Sequence, residues 1–269
     1  MTDSGSDNEW LRSSIGESTP DSITVRGRDL AAEVMDEMSF SELAFLLAAG
    51  RKPTGDETRL FNAVLVSLAD HGLTPTALAA RLTYTGAPEA LQGAIAAGLL
   101  GGGSVFLGPV EDTARFLDAI LAGLSPERVA DEAALKEAAV TAVRDAIESG
   151  RRIPGLGHPI HKETDPRTPV LYDLATTTGL AGPHLRLLQL VALEYRTATG
   201  RPLPINGAGA AGAALADLGF PPPIARGFAL LARTAGLIAH LAEEAEHPIG
   251  MRLWQEVEGR ASMRGRAAR

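Results

Sequence analysis

Arg151-Arg152-Ile153-Pro154-Gly155-Leu156-Gly157-His158-Pro159-Ile160-His161-Lys162-Glu163-Thr164-Asp165-Pro166-Arg167 is the stretch that departs most from its surroundings. It packs glycines, prolines, two histidines and several charges between two segments of helical spacing, 127–149 and 168–178. Glycine lets backbone approach a ligand closely, and long irregular connections between helices often carry function. His158 can therefore serve a ligand or the loop's own structure. With His161 it forms an H-x-x-H pair, but no carboxylate stands at a useful ligand spacing and prolines surround the pair. No metal is assigned to it.

Outward from this loop the pattern is helical. Leu30, Ala31, Val34, Met35 and Met38 follow helical spacing, and Ser39 or Ser41 caps a second helix ended by Gly50. Phe61, Val64, Leu65 and Leu68 make one apolar face between Glu57 and Ala69. Thr74-Pro75 reads as a cap and first-turn proline for a helix to about Tyr84, and Pro88 starts another that stops at Gly101–Gly103. Further helices are expected at 111–123, 182–198, 208–217 and 223–246. No run of alternating, β-branched residues is present, so no sheet is expected and the fold class is all-α.

Composition agrees. The chain has 269 residues, 45% hydrophobic and only 4% aromatic, with Ala and Leu abundant; both lose little rotamer freedom in a helix. It lacks cysteine, which excludes disulfides, a thiolate nucleophile and cysteine metal sites, and suits a reducing cytoplasm. A formal charge of −8 argues against nucleic acid as a general partner while leaving room for an anionic small ligand. No apolar stretch free of charge or turn residues is expected to span a bilayer. Met1–Pro20 is polar, not a signal peptide, and reads as part of a flexible tail; the arginine-rich end (Arg260, Arg264, Arg266, Arg269) reads as a solvated terminus.

Asp70-His71-Gly72 is the second cluster to stand out, where His71 is either a capping or core-edge histidine or a ligand-binding one. Gly207-Ala208-Gly209-Ala210-Ala211-Gly212 matches G-x-G-x-x-G literally. The dinucleotide fingerprint needs a preceding strand and an acidic residue about 20 positions on. Pro202 and Pro204 interrupt the strand and the later region is apolar around Phe228, so a glycine-permissive helix start is the better reading. Gly-x-Ser-x-Gly, H-E-x-x-H and the phosphate-cradling loop are absent.

Three segments together resemble one family. Pro154 to Arg167 is similar to the G-x-G-H-x-V-x-[KR]-x-x-D-P-R signature of citrate synthases. Asp70-His71-Gly72 resembles the D-H-G of citryl-CoA lyases, and Ala232-Arg233-Thr234-Ala235-Gly236-Leu237-Ile238-Ala239-His240 resembles a late A-R-T-x-G-x-x-A-H segment. They occur in the family's order over roughly 25–250, and the short length points to the citryl-CoA lyase-like branch.

The resemblance implies a helical fold with a large domain (25–110 and 208–250) and a small domain (111–207), between tails at 1–24 and 251–269. It implies a homodimer or higher homo-oligomer and coenzyme A, as acyl-CoA, as the cofactor-like substrate. His71 and His158 would be the catalytic histidines, His158 bonding the oxygen on the reacting carbon. Arg167 and Arg233 would grip carboxylates, with Asn206 beside them. Ile153, Pro154, Gly155, Leu156 and Gly157 would hold the adenine through their backbone, and Lys162 a phosphate. The expected reaction is cleavage or formation of a carbon–carbon bond in a 3-hydroxy-3-carboxyacyl-CoA, giving an acyl-CoA and a 2-oxo acid.

Two departures stand against that pattern. Gly101–Gly108 lacks the histidine of the synthases' G-P-L-H-G-G segment, as citryl-CoA lyases do. In Asn206-Gly207-Ala208-Gly209, Ala208 stands where the family's N-x-D-G motif has its proton-transfer aspartate. The alternative is a coenzyme A-binding homologue without catalysis.

Overall fold

A computed structural model of the chain describes residues 13–267, with side chains through 261. Most of the expected N-terminal tail, the side chains of Arg264 and Arg266, and Arg269 lie outside the described residues. Two compact units divide at Asn62 and Ala63.

In the first unit, β1 (Gly16–Ser18), β2 (Ile23–Val25) and β3 (Arg28–Asp29) form an antiparallel sheet in that order. Arg26 and Gly27, both with positive φ, make the two-residue turn between β2 and β3, the left-handed pair that suits the twist of a hairpin. This corrects the expectation of no sheet: strands of two or three residues are too short for alternation to show. A π-helical turn (Leu30–Val34), capped by the Asp29 carboxylate, runs into the short α1 (Met35–Glu37). α2 (Phe40–Ala49) begins with the Ser39–Glu42 capping box and ends at left-handed Gly50, as its sequence requires. α3 (Gly55–Ala69) carries Phe61, packed edge-to-face on Phe45 at 5.4 Å, and runs on into the second unit.

The second unit is helical. It comprises α4 (Pro75–Gly86), α5 (Leu91–Phe106), α6 (Pro109–Leu121), α7 (Pro126–Ala130), α8 (Glu132–Glu148), α9 (Arg167–Thr177), α10 (Pro183–Thr199), α11 (Gly207–Asp217), α12 (Pro222–Glu246) and α13 (Gly250–Ala267). Several boundaries differ from the sequence reading. α5 starts at Leu91 rather than Pro88 and bends at Gly103. The expected helix 127–149 breaks at Asp131, whose side chain caps α8 by accepting from the Ala133 N–H. The stretch from 251, expected as tail, is helical. Glu244 explains its start, because its buried carboxylate accepts from the N–H groups of Ile249 and Gly250.

α11 is the inner helix, buried at nearly every position and packed on α6, α9, α10 and α12. Its small residues permit that closeness: a Cβ on Gly212 would stand 2.4 Å from the Val110 carbonyl oxygen. α12 packs on α4, α5 and α6, with Leu237 and Leu241 joining Ala80 and Ala94 in a buried cluster. Gly236 lets α12 reach the end of α3, since a Cβ there would lie 2.1 Å from the Ala69 carbonyl oxygen. That approach seats Asp70-His71-Gly72 against α12. Leu91–Leu121 and Pro222–Glu246 are long and apolar enough, by length and composition alone, to cross a membrane, although both carry charged and turn residues. Here the first is broken at Gly103, and the second turns Phe228, Arg233, Leu237 and Leu241 into the core.

Candidate active site

The loop between α8 and α9 lies on the segment that leads into α11. The Asn206 N–H donates to the Gly155 carbonyl (2.9 Å), its Nδ2 to the Gly157 carbonyl (2.8 Å), and the Gly157 N–H to the Pro204 carbonyl (2.7 Å). Gly155 and Gly157 have φ of 84° and 80°, values that favour glycine. Gly209 must also lack a side chain, because a Cβ would fall 2.5 Å from the Gly155 Cα. Asn206 caps α11 by accepting the Gly209 N–H. Asn206 is thus a scaffold for the loop as well as a neighbour of the site.

Asp165 organises the other side. It is fully buried and accepts from the Arg167 N–H, Nε and Nη2 and from the Gly207 N–H, the last at 2.7 Å. Burial by itself would raise its pKa, but the Arg167 fork and the backbone N–H groups hold it far below the usual carboxylate range. Arg167 also donates from Nη1 to the Ser67 carbonyl. Its guanidinium is therefore fixed on the protein along one edge, with remaining N–H groups on the other.

Arg233 is different. It is 7% exposed, and its Nε and Nη1 have no hydrogen-bond partner; Asp70 Oδ1 lies 3.7 Å from Nη1. Burial lowers its pKa, Asp70 opposes that, and the charge of Arg167 adds to the lowering. Two neighbouring guanidiniums, one with unpartnered donors, are chemically suited to an anion.

The three histidines gather here. Ring centroids are 5.3 Å apart for His71 and His158, 5.6 Å for His71 and His161, and 4.5 Å for the stacked His158 and His161. Their ligand atoms all lie within 4.8 Å of one another, a separation that an ion could bridge. The hydrogen bonds oppose that use. His158 Nδ1 accepts from the N–H groups of both Ile160 and His161. The neutral ring then carries its proton on Nε2, so neither nitrogen offers a lone pair to a metal. His158 is instead a neutral N–H donor. Burial and surrounding cations lower the pKa of both His71 and His158.

A polar chain stands behind His71. Asp70 accepts the Gly72 N–H and His240 Nε2, at 2.8 and 2.9 Å. His240 Nδ1 meets Arg81 Nη2, which can only donate, so the His240 proton sits on Nε2. Arg81, 2% exposed, pairs with Glu243 and Glu244. Burial raises the Asp70 pKa, and the Gly72 and His240 bonds more than reverse it.

The structure thus assembles His71, His158, Arg167, Arg233 and, through the loop, Asn206 and Ile153 to Gly157. Lys162 lies outside the cluster, exposed, with its Nζ on the His158 carbonyl at 3.1 Å. Ala208 is partly exposed on the first turn of α11. Sequence reasoning missed Asp165, Asp70, His240 and Arg81 as parts of this constellation. Asp70, Asp165 and His240 carried a signal, as members of the D-H-G, D-P-R and A-R-T-x-G-x-x-A-H segments; Arg81 carried none.

A helical core brings together an arginine pair, a histidine cluster and a glycine-rich loop. Residues 23–254 match the family described as citrate synthase, C-terminal domain, and the chain belongs to that family. Citryl-CoA lyase from Hydrogenobacter thermophilus shares the fold with a TM-score of 0.77 and 32% identity, covering 87% of this chain and 86% of that one. ATP citrate lyase from Methanothrix soehngenii, in complex with citrate and coenzyme A, gives a TM-score of 0.72 at 22% identity, covering 87% of this chain and 39% of that one. A citrate synthase from Deinococcus radiodurans is 32% identical over 152 residues, 55% of this chain and 36% of its own length. A probable ATP-citrate synthase from Dictyostelium discoideum is 25% identical over 256 residues, 89% of this chain and 39% of its own. The chain spans less than two fifths of either of these two relatives.

Proposed function

We propose that the chain cleaves, or in reverse forms, a carbon–carbon bond in a 3-hydroxy-3-carboxyacyl-CoA of the citryl-CoA type. The observation that carries this reading is Arg233, a buried guanidinium with two unpartnered nitrogens, beside Arg167 and near the rings of His71 and His158. Such a site takes a carboxylate and holds the neighbouring oxygen by donors already in place. The likeness to a citryl-CoA lyase over most of both chains supports the same assignment.

In cleavage, the electrons of the hydroxyl O–H bond form the new carbonyl. Those of the carbon–carbon bond pass to the α-carbon of the thioester, which becomes an enolate. His158 Nε2–H would bond the oxygen at the breaking bond, His71 would flank it, and Arg233 with the outer edge of Arg167 would hold the departing 2-oxo acid. The Ile153–Gly157 backbone would receive the adenine of coenzyme A and Lys162 a phosphate. No step needs a metal.

A second reading has one specific support. Ala208 offers no carboxylate at the start of α11, so the chain would bind acyl-CoA without turning it over. Mass spectrometry of the purified protein with citryl-CoA and a panel of 3-hydroxyacyl-CoAs separates the two. The first reading expects a shorter acyl-CoA to accumulate from at least one of them. Binding without a product from any would leave the second.

A further inference from the structure

Cleavage of a 3-hydroxyacyl thioester moves one proton from the hydroxyl oxygen to the α-carbon. A single group that takes it from oxygen and returns it to the enolate carbon balances the reaction. On the reading above, we propose that His161 is that group, standing in for the carboxylate that Ala208 does not supply.

Elimination among the neighbouring groups leads there. His158 is already protonated on Nε2, and its Nδ1 holds two backbone N–H groups, so it donates a hydrogen bond but cannot accept the proton. Asp165 is enclosed by Arg167 and the Gly207 N–H and stays ionised in that grip. Asp70 is held by Gly72 and His240. Both ends of the Asn206 amide are bonded. Residues 207–209 bear no ionisable side chain. Glu163 is exposed, and Lys162 points to the loop's own carbonyl.

His71 and His161 remain. Burial and the neighbouring guanidiniums of Arg167 and Arg233 lower the pKa of His71, while Asp165 partly opposes them. That place beside the two guanidiniums assigns His71, on this reading, to the carboxylate end. His161 lies over the His158 ring at 4.5 Å and 28°, next to the donor that faces the reacting oxygen. Among the described residues, no hydrogen bond ties either nitrogen of its ring. The ring is half-buried, so it sits within the histidine cluster yet can exchange its proton with water.

The test uses the full chain, with citryl-CoA for cleavage and acetyl-CoA in deuterated water for exchange at the methyl carbon. His161→Gln is expected to lower both rates by about 10² or more, the usual range for a positioned acid or base. Affinity for free coenzyme A by calorimetry should stay within about twofold, since the ring acts on the reacting carbon. Ala208→Asp placed in the His161→Gln background should recover at least about tenfold of the loss, because it returns a carboxylate to the first turn of α11. A His161→Gln protein that keeps more than about a third of both rates would overturn the proposal. So would one that loses coenzyme A binding in parallel, or a folded double variant that binds but stays inactive. A wild-type protein that binds coenzyme A but neither cleaves nor exchanges sinks the carbon–carbon reading itself, and this proposal with it.

Discussion

Asp165 joins two parts of the site that lie far apart in sequence, Arg167 at the head of α9 and Gly207 at the head of α11. It is fully buried and ionised, and it accepts four N–H bonds, so its charge matters more than its shape. Asp165→Asn keeps the size but leaves Arg167 uncompensated and turns an N–H toward other donors. Breaking a buried pair this way costs about 3–5 kcal/mol, and urea unfolding is expected to show a loss of that order. A loss below about 1 kcal/mol would mean that the Arg167 fork finds water or another acceptor. The same residue marks the limit of sequence reading. His71, His158, Arg167 and Arg233 could be named beforehand because their motifs are long and ordered. The direction of the Asp165 carboxylate depends on how the heads of α9 and α11 meet, and the chain from Asp70 through His240 to Arg81 on how the end of α3 meets α12 and α4. No local pattern reports those.

At the scale of elements, His184 binds three helices together. Its Nδ1 meets Asp217 of α11 and its Nε2 meets Asp118 of α6, each at 2.8 Å, while His184 itself lies on the first turn of α10. Burial alone would lower its pKa, but Asp217 and Asp118 raise it. A histidine whose folded pKa is raised stabilises fully below its unfolded value, about 6.5. That contribution fades as pH rises through the higher folded value. His184→Asn is therefore expected to lower thermal stability most near pH 5.5, where charge-assisted bonds contribute about 1.5–3 kcal/mol. The gap to wild type should narrow above the raised pKa, and a gap constant across pH would show the ring acting by packing alone. Most helices were legible for a physical reason: Ser39, Thr74-Pro75 and Gly50 are local stop and start signals. α13 was not, because its start is set by Glu244 of the preceding helix and its own residues are largely polar and exposed. The short sheet was hidden by its length, although Arg26-Gly27 is a turn signal in retrospect.

For the whole molecule, surface and charge set what comes next. The second unit exposes apolar side chains along α5, with Leu100 81% and Val105 73% exposed. Exposed apolar surface of this sort suits a symmetric partner copy. Sedimentation is expected to show a dimer that Leu100→Glu weakens; a concentration-independent monomer would remove the idea. The last prediction concerns charge. The formal charge of −8 repels a polyanionic coenzyme A at long range, so any phosphate contact must come from local cations. Arg151, Arg152 and Lys162 are all exposed on the loop between α8 and α9, while Arg233 is buried. Exposed cations are screened by salt within a Debye length of about 8–10 Å, and buried ones much less. Coenzyme A affinity should therefore fall as ionic strength rises, and Lys162→Ala should both weaken binding and flatten that dependence. Affinity for the small carboxylic acid should change little in the same variant, because the proposed carboxylate contacts are Arg233 and Arg167 and not the exposed lysine. Lys162 must release the His158 carbonyl to reach a phosphate, which limits the expected effect to a few-fold, about 0.5–1 kcal/mol. Calorimetric titration of coenzyme A and of citrate at two salt concentrations decides it. An unchanged coenzyme A affinity in Lys162→Ala would leave Lys162 as a brace of the His158 loop and move the phosphate to Arg151 or Arg152.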